Sequence, residues 1–167
     1  MKIERFVFEK ALPVWKMGDQ RVMNQNLHFS AVVPRKKGAE LRISGASSYL
    51  VFINGKFVAH GPARTAHGYY KVDKISLDPF ADGENINILI SASGYNCNSF
   101  SYVDAPSFVC AEVVCGEEVL AATGADFSCR TVGSRLTKMP KYSYQRTFAE
   151  GYDFTGDRVS FDAELEV

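Results

Sequence analysis

The feature that most constrains this chain is the Asn54-Gly55 pair inside the apolar and aromatic run Tyr49 to Val58, YLVFINGKFV. Both residue types tolerate the positive φ that a two-residue type I′ turn demands, and the twist of that turn matches the strands it joins. The segment therefore predicts a tight β-hairpin. Around it, apolar side chains recur with period two rather than the 3.6-residue period of an amphipathic helix, which is the mark of a sheet protein. From Leu27 to Val33, the residues Leu27, Phe29, Ala31 and Val33 alternate with His28, Ser30 and a misfit Val32. Leu41 and Ile43 alternate with Glu40, Arg42 and Ser44, and Ile86, Ile88 and Ile90 repeat the device against Asn85, Asn87 and Ser91. Such strands put one face inward and one in water.

Further turns are expected at Asp82-Gly83 and at Gly116 to Glu118, with a single helical turn near Pro79-Phe80. No linker or repeat divides the chain, so residues 1–167 read as one domain. Short antiparallel strands with frequent turns predict an all-β sandwich of the jelly-roll type, two sheets sharing one core. The basic, pattern-poor stretch Thr131 to Ser143 reads as a long loop leading to a strand near Tyr144 to Phe148, and Phe161 to Val167 reads as a last strand. Tyr49-Leu50-Val51-Phe52-Ile53 is apolar on both faces, whereas a sandwich strand needs one. Two covers fit the second face, a crossing loop of the same chain or a neighbouring domain or subunit; left in water, such a stripe invites association.

A chain of 167 residues with 46% hydrophobic and 23% charged residues lies within the range of one globular domain. At this size folding buries roughly 70% of the unfolded surface, enough for a core without metal or disulfide staples. The formal charge is zero and basic residues cluster only at Arg35, Lys36 and Lys37, so nucleic acid, which needs a basic face, is disfavoured. No apolar run approaches the roughly 20 residues of a membrane span. The start, Lys2, Glu4, Arg5, lacks the apolar stretch of a signal peptide, which gives a cytoplasmic default, or a periplasmic or secreted setting if the chain is cut from a longer precursor. Cys97, Cys110, Cys115 and Cys129 form no C-x-x-C pair, and His28, His60 and His67 are not beside them, which argues against zinc. Cys110, in the run Phe108-Val109-Cys110-Ala111, reads as a small buried hydrophobe.

The hairpin continues into an ordered set of motifs, VFINGKFVAHGPARTAHGYYKVDKISLDPFADGENINILI, in which a strand and an N-G turn are followed by G-P-x-R and aromatic residues before Asp73. In that order the chain resembles the N-terminal galactose-binding-like sandwich domain of bacterial α-L-rhamnosidases. The likeness continues more loosely through Trp15, SGYNCNSF from Ser93 and YQRTFAEGYDF from Tyr144, while Lys71, Val72 and Ser76 depart from the aromatic or acidic residues usual there. The resemblance implies that catalysis belongs to a separate α/α barrel, in which one carboxylic acid donates a proton and one carboxylate activates water. That barrel needs long helices which this chain lacks. The sandwich is then a non-catalytic accessory domain that packs on the catalytic domain of the same polypeptide and holds or contacts carbohydrate.

The candidate residues follow from what sugars require. An aromatic ring stacks on the apolar face of a pyranose while Asn, Asp or Arg bonds its hydroxyls, which singles out Trp15, Tyr69, Tyr70, Tyr95 and Tyr102, with Asn96 and Asn98 beside Tyr95 in the most ligand-like loop. Core packing and turn chemistry are the structural alternatives for each. Arg64, directed by Gly61-Pro62, either anchors to Asp73 or a backbone carbonyl, or reaches a sugar or a partner domain. Asn54 and Asp73 complete the carbohydrate or interface set. A glycosidase needs two carboxyl groups set across a cleft, and although Asp73, Asp104 and Asp153 are available, nothing in their spacing pairs them. The second reading is a free-standing carbohydrate-binding module for L-rhamnose or a related sugar. No cofactor is called for; a structural calcium accompanies only that second reading, and no ligand-rich loop supplies its oxygens.

Overall fold

Asn54 and Gly55 take the positive φ their chemistry allows, 49° and 76°, and Lys56 pairs back onto Ile53. Asn54 also braces the turn, because its Oδ1 accepts the Asn87 backbone N–H at 2.8 Å and its Nδ2 donates to the Phe80 carbonyl at 2.9 Å. The computed structural model describes residues 5–80, 82–100, 102, 104–155 and 162–167. Over these residues the strands run in chain order as β1 (Trp15–Lys16), β2 (Gln25–Pro34), β3 (Glu40–Ala46), β4 (Ser48–Ile53), β5 (Lys56–Gly61) and β6 (Asp73–Ser76). There follow β7 (Asn85–Gly94), β8 (Phe108–Cys115), β9 (Glu118–Ala122), β10 (Ser128–Thr131) and β11 (Leu165–Glu166), with one 3₁₀ turn at Asp78–Phe80.

The strands form an all-β antiparallel sandwich. One sheet has the order β10-β2-β7-β4-β5, the other β6-β3-β8-β9, and β1 pairs with β11 as a small ribbon. The longest pairing joins β2 to β7, from Gln25 opposite Gly94 to Pro34 opposite Asn85. Period-two patterning decides what meets between the sheets. Leu27, Phe29, Val33, Ile86, Ile88, Ile90, Val51 and Ile53 from the larger sheet pack against Leu41, Ile43, Val109, Ala111 and Val113 from the smaller. Each such Leu or Ile, fully buried, contributes about 1.5–3 kcal/mol. The expected turns are present, with Gly83 and Gly116 at φ 88° and 61°.

Of the two covers expected for β4, the crossing loop is not found among the described residues. On β4 the second face stays open: Leu50, Phe52 and Phe57 lie beside Leu89 and Val32, and Val32 and Phe57 are 64% and 59% exposed. The strand covered on both faces is β8. Its outward Cys110 and Glu112 are buried, with Phe8 and Ala11 of the N-terminal segment packed over Cys110 and Ala122. Glu112 ties that segment down, since its Oε2 accepts the backbone N–H groups of Glu9 at 2.9 Å, Lys10 at 3.1 Å and Ala11 at 3.4 Å.

Two strand expectations near the end are corrected. Tyr144 to Phe148 is not a strand but the tip of an irregular ribbon, closed by a bridge between Lys141 and Phe148 and by the Tyr142 N–H on the Thr147 carbonyl at 3.1 Å. Among the described residues no strand of either sheet pairs with it. Of the last segment, Phe161 lies outside the described residues, and only Leu165–Glu166 forms a strand.

Candidate functional site

At the end of the sandwich opposite the Asn54-Gly55 turn, three segments converge: Gly45–Ser47 at the junction of β3 with β4, the loop from Pro62 to Lys71 after β5, and the loop after β7 that carries Tyr102, Asp104 and Ala105. Together they line a cleft. Gly61 makes room beneath it, because a Cβ there would lie 2.5 Å from Asp73 Oδ2 and 2.7 Å from the Tyr49 hydroxyl. Pro62 follows through a cis peptide bond, and Gly68, at φ 81°, turns the loop so that the Tyr69 N–H reaches the Ala66 carbonyl at 3.1 Å.

The loop presents Arg64, Tyr69 and Tyr70, all exposed. Tyr70 is braced edge-on against Phe108, with ring centroids 4.9 Å apart, while Thr65 donates its hydroxyl to the Tyr69 carbonyl. Arg64 Nη1 donates to the Phe100 carbonyl, the backbone anchor that was one of its two structural alternatives. Asp73 is held from both sides beneath the cleft. Its Oδ2 accepts the Tyr49 hydroxyl at 2.6 Å and its Oδ1 pairs with Lys71 at 2.6 Å. Burial first, then the hydrogen bond to Asp73, pushes the Tyr49 hydroxyl far above its ordinary pKa, so it stays a donor.

Across the cleft, Tyr95 and Tyr102 stack with centroids 4.9 Å apart, and the Tyr102 hydroxyl meets Cys97 Sγ at 3.6 Å. Burial drives that hydroxyl well up from its usual range. Asn96, at φ 44°, locks the loop by donating to the Val22 carbonyl at 3.1 Å and to Ser107 Oγ at 2.7 Å. Asn98 is exposed, and its carbonyl accepts Lys141 Nζ at 2.6 Å.

Tyr69, Tyr70, Arg64, Tyr95, Asn96 and Asn98 are thus brought to one end of the molecule. Two candidates lie elsewhere. Asn54 sits at the opposite end, its side chain consumed by the turn. Trp15 is 1% exposed in the core, packed on Phe29 at 5.9 Å, with Nε1 donating to Gln25 Oε1 at 2.6 Å, and its ring faces no solvent. Sequence reasoning passed over Ser47, Thr65 and His67 as cleft residues, because only the convergence of three segments places them there.

The cleft offers rings, hydroxyls and cations, which is equipment for binding. Among its described lining residues the one carboxylate is Asp104, paired with Arg21 at 3.5 Å. Asp153 caps its own turn, accepting the Thr155 N–H at 2.9 Å. The pair of facing carboxyl groups that glycoside hydrolysis requires is not assembled by Asp73, Asp104 and Asp153, each of which is engaged separately. Among the described residues no group of three or more His, Cys, Asp or Glu side chains could hold a metal ion.

The fold is similar to part of a solved GH78 family rhamnosidase of Bacillus sp. GL1, with a TM-score of 0.79 and 23% identity over 86% of this chain and 16% of that one. Streptomyces avermitilis α-L-rhamnosidase complexed with L-rhamnose aligns at a TM-score of 0.47 and 15% identity, over 93% of this chain and 14% of that one. The chain therefore spans a small part of the length of either enzyme. By sequence it matches no protein-family model and no curated protein. What the first likeness shows is the fold, an antiparallel all-β sandwich shared with a section of a much longer chain.

Proposed function

We propose that this chain is the non-catalytic accessory β-sandwich of an α-L-rhamnosidase-like glycoside hydrolase, galactose-binding-like in its fold, which packs on the catalytic domain of the same polypeptide and contacts carbohydrate through the loop-end cleft. The observation that carries the reading is the fold shared over 86% of this chain with 16% of a rhamnosidase chain. Two features of the molecule support it. The open apolar face of Val32, Leu50, Phe52, Phe57 and Leu89 suits packing on a neighbouring domain. The cleft carries exposed Tyr69 and Tyr70, rings able to stack on a pyranose.

The test is cleavage of an aryl α-L-rhamnoside by this purified chain and by the polypeptide extended beyond Val167. Turnover by the longer polypeptide alone is the expected result. Cleavage by this chain alone, or an extension without a helical barrel and without activity, overturns the reading.

The exposed cleft rings also favour a second reading, a free-standing carbohydrate-binding module for L-rhamnose or a related sugar. Calorimetric titration with L-rhamnose and galactose decides it, since absence of heat with both rejects the module for those ligands.

A further inference from the structure

We propose that the ribbon from Lys141 to Arg146, with the neighbouring Phe100, is a binding strip for a saccharide that carries carboxylates. The inference rests on the carbohydrate-contact reading above and goes beyond it in naming a ligand charge and a second surface.

Charge is the first observation. In a chain of zero net charge, residues 131–148 hold Arg135, Lys138, Lys141 and Arg146 and no Asp or Glu. Arg135 is paired with Glu150 at 3.2 Å, and Lys141 spends one proton on the Asn98 carbonyl at 2.6 Å. Among the described residues neither Lys138, Lys141 nor Arg146 has a carboxylate partner. Among the described residues, Lys141 and Arg146 on the ribbon and Lys138 just before it therefore stand without a counter-charge.

Rings are the second observation. Tyr142, Tyr144 and Phe100 are 71%, 66% and 64% exposed, far beyond what core packing leaves to an aromatic side chain. They are nevertheless ordered relative to one another and to the cations. Phe100 meets Tyr144 edge-on at 5.7 Å, Lys141 Nζ lies 5.1 Å from the Tyr144 centroid, and Arg146 Cζ lies 5.7 Å from the Tyr142 centroid. A cation on one side steadies each tyrosine and leaves other ring surface in solvent.

A ring beside a cation that has no carboxylate partner among the described residues, found twice at the ribbon tip, matches an acidic saccharide. The C–H face of a sugar stacks on the ring while its carboxylate takes the ammonium or guanidinium hydrogen bonds. A protein partner fits less well, because closing a dry interface over these cations would need a matching acid for each and full desolvation of both. A saccharide leaves the strip wet, with water completing the unfilled hydrogen bonds. The strip also adjoins the cleft, since the loop 97–100 is held by Arg64 on one side and by Lys141 on the other.

The experiment is calorimetric titration of the whole chain with an oligogalacturonate, with the same oligomer methyl-esterified, with L-rhamnose and with poly-L-glutamate. Oligogalacturonate is expected to bind at least about tenfold more tightly than the ester or the polypeptide. The affinity should weaken in about 0.5 M NaCl, where screening is short-ranged. Tyr144→Ala and Arg146→Ala should each weaken it about tenfold with an unchanged melting temperature. Absence of oligogalacturonate binding, equal affinity for the ester, equal affinity for poly-L-glutamate, or indifference to both substitutions overturns the strip. Binding of L-rhamnose or the ester without preference for the acid sinks the strip alone and leaves the accessory-domain reading in place.

Discussion

Gly61 shows how much one missing methyl group can matter. The Tyr49–Asp73 hydrogen bond passes through the space its Cβ would fill, so Gly61→Ala must displace a buried tyrosine or the carboxylate it holds. Overpacking of this kind costs about 1–3 kcal/mol, and chemical denaturation should show a loss of that size. The sequence shows Gly61-Pro62 as a directed exit from the hairpin, but not that the glycine clears a path for Tyr49, which lies twelve positions earlier on another strand. Cysteine behaviour belongs to the same scale. Burial pushes the Cys110 and Cys129 thiols up from 9.0 to about 12. Between those values the unfolded chain has released protons that the folded chain still holds, so stability is complete below pH 9 and declines as pH rises toward 12. Urea midpoints measured from pH 8 upward should fall accordingly. A colorimetric thiol assay on the native protein should leave Cys110 and Cys129 unmodified until denaturant is added, whereas half-buried Cys97 and Cys115 react first.

Among the elements, β8 depends most on an interaction between distant parts of the chain. Its Glu112 carboxylate is fully buried, takes three backbone N–H groups from residues 9–11, and meets Arg42 Nη1 at 3.4 Å. Glu112→Ala would leave three backbone donors without their acceptor and Arg42 with Glu40 alone, at 3.1 Å, for a loss of about 2–4 kcal/mol. Glu112→Gln keeps an acceptor and should cost about 1–2 kcal/mol. Thermal melts of the two variants test that ranking, and equal losses would mean that the carboxylate is not what anchors the segment. The sequence made Cys110 recognisable as a buried hydrophobe, because Phe108 to Ala111 is a continuous apolar run. It gave no means of telling which segment covers the outer side. The reverse happened on β4, where the two-faced apolar stripe was legible and its cover was not, and the fold leaves that face open. Aromatic residues favour strands, so Tyr144 to Phe148 reads as one, yet propensity cannot supply a partner strand.

For the molecule as a whole, the exposed face of the larger sheet is the main liability of the isolated chain. Val32, Leu50 and Phe57 stand in solvent beside Phe52 and Leu89, and a patch of that kind associates when uncovered. Light scattering should show a mass that rises with concentration, and Leu50→Ser combined with Phe57→Ser should abolish the rise. Because Leu50 is only 37% exposed and Phe57 packs edge-on against Phe52 at 5.8 Å, the double substitution should also cost about 1–3 kcal/mol of stability. A wild-type chain that stays monomeric at every concentration would refute the expectation.

The candidate site divides along similar lines. Tyr69, Tyr70, Arg64, Tyr95, Asn96 and Asn98 could be named from residue chemistry and local turn signals, and the fold brings them to one end of the molecule. Trp15 could not be placed in this way, because a tryptophan's preference for burial or for a sugar is decided by what packs against it. Side-chain alternation and the φ tolerance of Asn54-Gly55 are local properties, so the sequence by itself determined an antiparallel sheet protein and the position of its tightest turn. Which faces are covered, which ring is buried and which loops meet were decided only by tertiary structure. These depend on contacts such as Glu9 with Glu112, 103 positions apart, whose existence no local pattern encodes.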